Sequence, residues 1–245
     1  MNLPEFQKNG FIKIENFFTD EEVQLLLEEV SKIESDRADL GYYEENVLNK
    51  REEVLIRIEQ ITDLSDKIKK ILNKKEVNET LSSMFEGPYT LFKDKVNFKY
   101  PGCREDTLHQ DQQAGWTEYS DYFVTMCVAL DTNTAKNSPL QFPNKDSYSH
   151  KKVILGNDWE PLRSNEFTNL PMEETYMNPG DVIFFDSFVP HGSDMNSSNL
   201  SRRNLFITYA SSEFDHLREE YYKSKLSSYP PNAYREENRR YEYKV

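Results

Sequence analysis

A chain of 245 residues buries one sizeable core without needing a second domain, and with 8 Gly and 2 Cys it is neither collagen-like nor a disulfide-stapled fold. A net charge of -13 repels phosphate backbones, which excludes nucleic acid as an expected partner. No apolar run approaches the roughly 18 residues of a membrane span, the start Met1-Asn2-Leu3-Pro4-Glu5-Phe6 shows no leader pattern, and Cys103 and Cys127 lack CxxC spacing. The expectation is a soluble cytoplasmic protein with reduced thiols and no membrane partner.

In chain order, Phe11-Ile12-Lys13-Ile14 reads as a short strand, and Thr19-Asp20-Glu21-Glu22 as a capping box that opens a helix. Val23, Leu26, Leu27, Val30 and Ile33 then recur at helical spacing. Residues 36–60 are charged, without a clear period, and read as a long surface excursion. Two shorter helical patterns follow between Ile61 and Phe85, ended by Gly87-Pro88. Val96, Phe98 and Tyr100 alternate, and Tyr122 to Leu130 is dense in β-branched and apolar residues; both predict strands. Proline-punctuated loops dominate 131–175. The turn Asn178-Pro179-Gly180-Asp181 launches a strand over 182–185, and 203–209 reads as another. The tail after Pro230-Pro231 is charged, Tyr-rich and expected to be partly disordered. The pattern predicts one α+β domain over 1–245: a helical N-terminal layer (1–88), a β core (89–212) forming an antiparallel barrel or sandwich, and a charged C-terminal tail (213–245).

The chemistry sits on two of the four histidines. His109-Gln110-Asp111 is an H-x-D, and in extended chain residues two apart share a face, so an imidazole and a carboxylate reach one ion. About eighty residues later, His191 follows the 182–185 strand. Two His and one carboxylate make the facial triad of non-haem Fe(II) oxygenases, with three positions left for co-substrate and O₂. Arg202, eleven residues after His191, is the planar, permanently charged donor that the distal carboxylate of a metal-chelating 2-oxo acid requires.

Four blocks together resemble the phytanoyl-CoA dioxygenase family, to which ectoine hydroxylase belongs. They are Asn97-Phe98-Lys99-Tyr100-Pro101-Gly102, His109-Gln110-Asp111, Pro190-His191-Gly192-Ser193 with Asn196, and Arg202-Arg203. The opening Asn9-Gly10-Phe11-Ile12 before an acidic capped helix also looks like that family, and the resemblance spans about 5 to 210. It implies a double-stranded β-helix, a cupin-like jelly-roll barrel backed by the N-terminal helices. It further implies that His109, Asp111 and His191 bind Fe(II), that Arg202 holds the 2-oxoglutarate C5 carboxylate, and that Asn97 and Ser193 hydrogen-bond that co-substrate. The implied reaction is hydroxylation of a small polar metabolite with O₂, releasing succinate and CO₂. The sequence departs from the family where many members carry N-G-x-L and P-G-S-H elements: here stand Asn137-Ser138-Pro139-Leu140 and Pro143-Asn144-Lys145-Asp146-Ser147.

Other residues carry weaker signals. His150 and His216 lie in charged surroundings and are expected to be solvated, Cys103 to be an unreactive thiol, and Trp116 and Tyr119 to pack rather than to line a substrate pocket. Halogenation requires a vacant position where Asp111 stands, and a cupin isomerase or Zn hydrolase requires a third His near the first block. A non-catalytic metal- or ligand-binding member of the same fold is the remaining alternative. The Gln110 to Trp116 stretch looks like relatives acting on small amines or aminophosphonates.

Overall fold

The capping box forms as the sequence predicts: Thr19 Oγ1 accepts from the Glu22 amide at 3.2 Å, and Glu22 Oε2 accepts from the Thr19 amide at 2.9 Å. It opens α2 (Asp20–Asp36), whose Val23, Leu26, Val30 and Ile33 form one buried stripe. Each such side chain, fully buried, contributes about 1.5–3 kcal/mol. α1 (Leu3–Asn9) precedes β1 (Phe11–Ile14), and α3 (Ile61–Leu64), α4 (Asp66–Leu72) and α5 (Lys75–Met84) complete the N-terminal helices. The computed structural model describes residues 3–157, 160–162, 169–212 and 216–241.

The strands are β2 (Gly41–Glu45), β3 (Glu53–Glu59), β4 (Tyr89–Phe98), β5 (Asp106–His109), β6 (Phe123–Ala129), β7 (Leu140–Pro143), β8 (Met172–Thr175), β9 (Val182–Asp186), β10 (His191–Ser193) and β11 (Arg203–Ser211). They form two antiparallel sheets, β1-β9-β6-β11-β4-β3-β2 and β5-β10-β7-β8, the two walls of a double-stranded β-helix. β6 and β9 are buried along their whole length because both faces are covered. One face (Val124, Met126, Val128, Phe184, Leu205, Ile207) packs with the helical stripe. The other (Cys127, Ala129, Ile183, Phe185, Phe206) turns inward towards Leu140 and Phe142 of the smaller sheet. Residues two apart on a strand therefore divide between helix layer and barrel lumen.

Two expectations are corrected. The stretch before residue 89 is not purely helical. β1 forms where the sequence predicts a strand and pairs with β9 at one edge; the correction concerns 36–60, where the β2–β3 hairpin extends the large sheet at the other edge, so that stretch is no surface excursion. Its charges hid the strands because half of each strand faces solvent or an ion-pair partner. After Pro230-Pro231, where partial disorder is expected, Asn232–Tyr234 form a 3-10 turn tied to Tyr43 through the Asn232 side chain, and the charged segment before it is a packed helix. α6 (Leu217–Ser228) packs Leu217, Tyr221 and Tyr222 onto Phe92, Trp116 and Phe123. Its Lys225 is buried and donates to Glu59 Oε1 at 2.6 Å. Among the described residues no helix is long and apolar enough to cross a membrane. Positions 1–2, 158–159, 163–168, 213–215 and 242–245, on which parts of the predicted 131–175 stretch and of the tail fall, lie outside the described residues.

Candidate metal and co-substrate site

β5 ends at His109, and antiparallel pairing sets His109 directly opposite His191 at the start of β10. The two rings lie with centroids 4.4 Å apart. Asp111 comes from the first residue of a 3-10 turn rather than from continuing strand, so the turn, not strand alternation, carries its carboxylate to the histidines. Asp111 Oδ1 stands 3.8 Å from each Nε2, and the donor atoms of all three lie within 4.8 Å of one another.

The tautomers suit a cation. His109 Nδ1 is 2.7 Å from the Thr107 carbonyl and His191 Nδ1 3.0 Å from the Val189 carbonyl. A carbonyl only accepts, so each Nδ1 carries the proton and each Nε2 offers a lone pair. Burial, reinforced by the neighbouring His109, lowers the His191 pKa to about 4, so that ring is neutral near pH 7. Two neutral imidazoles and one carboxylate on one side of a point match a 2-His-1-carboxylate ion such as Fe(II).

Three glutamines flanking Asp111 are buried, and their role carries no signal in the sequence. Gln110 donates to the carbonyls of Phe188 (2.5 Å) and Val153 (3.0 Å) and accepts from the Leu155 amide (2.7 Å). Gln112 accepts from Ser187 Oγ at 2.6 Å, and Gln113 donates to the Asn157 carbonyl at 2.8 Å. The loop carrying Asp111 is thereby tied to the turn that delivers His191 and to the 153–157 segment.

The His150 side chain, expected to be solvated, is buried: its Nε2 lies 2.8 Å from Asp186 Oδ2. Asp186 also accepts from the Phe188 amide at 3.0 Å, so this pair pins the same turn. The partner is distant in sequence, which is why charged neighbours misled. His216 is exposed beside Glu220, as expected.

A cavity of about 1070 Å³ opens over the triad, lined among others by Lys93, Lys95, Asn97, Trp116 and Arg202. Arg202 is buried and donates to the carbonyls of Asn137 (3.3 Å) and Ser138 (2.6 Å), in the loop where the sequence departs from the family pattern. Among the described residues no carboxylate makes an ion pair with it. A buried guanidinium without a carboxylate is set to receive an anion. Asn97 lines the same cavity, and its buried Oδ1 has no hydrogen-bond partner. Ser193 is placed differently: its hydroxyl donates to Asp106 Oδ2 at 2.8 Å. Trp116 packs on Phe92 and Phe123 and also lines the cavity, so packing and lining are not alternatives for it. Cys103 and Cys127 are free and buried, and burial raises their thiol pKa values to about 11 and about 12.

A family profile described as phytanoyl-CoA dioxygenase (PhyH) matches residues 6–204. The chain is 29% identical over 251 residues to a 2-aminoethylphosphonate dioxygenase of uncultured bacterium HF130_AEPn_1, covering 97% of this chain and 91% of that protein. It is 31% identical to a methylphosphonate hydroxylase of Gimesia maris, covering 93% and 86%. Among solved structures it is similar to apo EctD from S. alaskensis, with TM-score 0.70, 22% identity, and 85% and 75% of the two chains covered.

Proposed function

The chain belongs to the phytanoyl-CoA dioxygenase family, and from that premise we propose that it hydroxylates a small amine or aminophosphonate at the triad described above. It is an Fe(II)- and 2-oxoglutarate-dependent dioxygenase acting on a small molecule. The observation that carries the site assignment is the meeting of His109, Asp111 and His191 in one cavity with a buried arginine that lacks a carboxylate.

In this reading His109, Asp111 and His191 hold the iron, and Arg202 anchors the C5 carboxylate of 2-oxoglutarate. Bound iron with 2-oxoglutarate and O₂ supplies the oxidising power for cleaving a C–H bond. The chain's own residues do the rest. The carbonyls of Thr107 and Val189 hold the imidazole protons away from the metal side. Phe185 and Phe142 pack against the His191 ring at centroid distances of 4.7 and 6.0 Å and exclude water from that side. Asn97 offers an amide beside the co-substrate. Ser193 acts through Asp106 in this arrangement, or turns towards the co-substrate when it binds. A cytoplasmic setting belongs to the same reading, supported by two buried free cysteines.

The substrate class draws on the relatives named for 2-aminoethylphosphonate and methylphosphonate. The test is succinate release with Fe(II) across a panel of small amines and phosphonates. Stimulation by an amine or phosphonate is expected; stimulation only by compounds lacking both groups overturns the substrate class, and no turnover with any compound favours the non-catalytic alternative.

A further inference from the structure

The lumen face of β4 carries Lys93, Lys95 and Asn97, and antiparallel pairing sets each across from β11: Lys93 opposite Thr208, Lys95 opposite Phe206, Asn97 opposite Asn204. Asn97 marks the Arg202 end. Lys93 stands four residues away, about 13 Å along the strand. Its own end of the cavity belongs to the metal side: Thr208 Oγ1 is 2.9 Å from Thr125 Oγ1, which is 3.5 Å from Asp111 Oδ2. Lys93 is 2% exposed, lines the cavity, and its ammonium has no hydrogen-bond partner. The buried carboxylate that faces it electrostatically, Glu59, is held through Oε1 by Lys225 at 2.6 Å and Arg57 at 3.2 Å, while its Oε2, like the Lys93 nitrogen, is buried without a hydrogen-bond partner. The Trp116 indole N–H is also buried without an acceptor, and the Lys93 ammonium lies 5.7 Å from that ring.

A buried amino group and a buried indole N–H, both without a hydrogen-bond partner, are costly unless something completes them. We propose that Lys93 and the Trp116 N–H form a subsite for a tetrahedral dianion, the phosphonate group of the substrate, at the end of the cavity opposite Arg202. This rests on the dioxygenase reading above and adds where and by what the substrate is held. Two anions then enter one cavity at opposite ends: the co-substrate carboxylate on Arg202 and the phosphonate on Lys93. Thr125 on β6 is two strands from β4, about 10 Å, so a phosphonate of one or two carbons held by the lysine brings its carbon chain to the metal side.

The test is calorimetric titration of the purified protein with methylphosphonate, inorganic phosphate and acetate, with wild type, Lys93→Met and Trp116→Phe. Methylphosphonate and phosphate are expected to bind wild type more than tenfold tighter than acetate. Lys93→Met is expected to weaken methylphosphonate by about 30-fold or more, and Trp116→Phe by a smaller factor. The KM for 2-oxoglutarate stays unchanged. Without ligand, Lys93→Met should raise the Tm, since it removes a buried amino group with no hydrogen-bond partner. A lowered Tm with unchanged methylphosphonate affinity identifies a structural lysine that closes on Glu59 and overturns the proposal, as does equal affinity for acetate. Lys93-dependent binding without succinate release would refute the dioxygenase reading alone; turnover insensitive to Lys93→Met would refute the subsite alone.

Discussion

Arg202 and Arg203 are adjacent in sequence and leave the backbone in opposite directions. Arg202 is buried against the carbonyls of Asn137 and Ser138 on the lumen side. Arg203 grips Asp131 with Nε at 2.8 Å and Nη2 at 2.9 Å, and reaches Ser31 of α2 at 3.4 Å on the helix side. Strand alternation allows only one of the two to face the cavity.

Removing one partner of a buried, charge-paired contact costs about 3–5 kcal/mol. Arg202→Ala should therefore raise the KM for 2-oxoglutarate by roughly two orders of magnitude or more. Arg203→Ala should leave that KM within about twofold and cost about 1 kcal/mol of stability, typical of a half-exposed pair. Steady-state kinetics on the two variants side by side is the check, and a large KM rise in Arg203→Ala alone would reverse the assignment.

The metal ligands make a second contrast. His109 is partly exposed at the cavity mouth and lies outside the hydrophobic clusters. His109→Ala should abolish Fe(II) binding and 2-oxoglutarate turnover while moving the urea midpoint little. Asp111→Gly opens one more coordination position and should lose substrate hydroxylation. Metal content and succinate release measured on both decide it; full turnover in either removes that residue from the ligand set.

How much was legible follows from the range of each interaction. His109-Gln110-Asp111 stands out by ligand type and short spacing, and His191 and Arg202 by their places at the end of one predicted strand and the start of the next, all local properties. The capped helix α2 and the apolar strands β6 and β9 are legible for the same reason. His150 was misread because its partner Asp186 is 36 residues away. Lys225 meets Glu59 across 166 residues, which turns an apparently free charged tail into a packed helix. Lys93 carries no signal in the sequence, because its burial on β4 comes from β3 and α6, elements distant in the chain. Charge in a sequence does not distinguish a solvated side chain from one whose partner arrives by tertiary folding.

Gly10 links the N-terminal edge to the metal turn. It has φ +76°, a region costly to residues with a Cβ. An added Cβ would sit 2.3 Å from Val189 Cγ2 and 2.7 Å from the His150 ring. The Val189 carbonyl is also the acceptor for His191 Nδ1. Gly10→Ala should cost about 2–4 kcal/mol, about 1–2 from backbone conformation and the remainder from overpacking, and should weaken Fe(II) binding. Urea unfolding with a metal titration checks both, and a variant as stable as wild type would show that the turn tolerates displacement.

The last prediction concerns pH in the metal-free protein. Burial, and then the neighbouring His109, hold the folded His191 pKa at about 4, below the ordinary histidine value of 6.5. Between those values the unfolded chain binds a proton that the folded chain does not, so stability rises with pH across the window and is lost as pH falls through it. At about 1.4 kcal/mol per pH unit, this ring accounts for a loss on the order of 3 kcal/mol between pH 6.5 and 4. Carboxylates titrate over part of that range as well, but they do so equally in a variant lacking the ring. His191→Gln should therefore show a shallower acid loss than wild type in urea unfolding at pH 6.5, 5 and 4. Added divalent metal, which binds only the neutral imidazole, should stabilise wild type at pH 6.5 far more than at pH 4. Parallel curves for wild type and His191→Gln without metal would mean that the ring takes up its proton in the folded state as readily as in water.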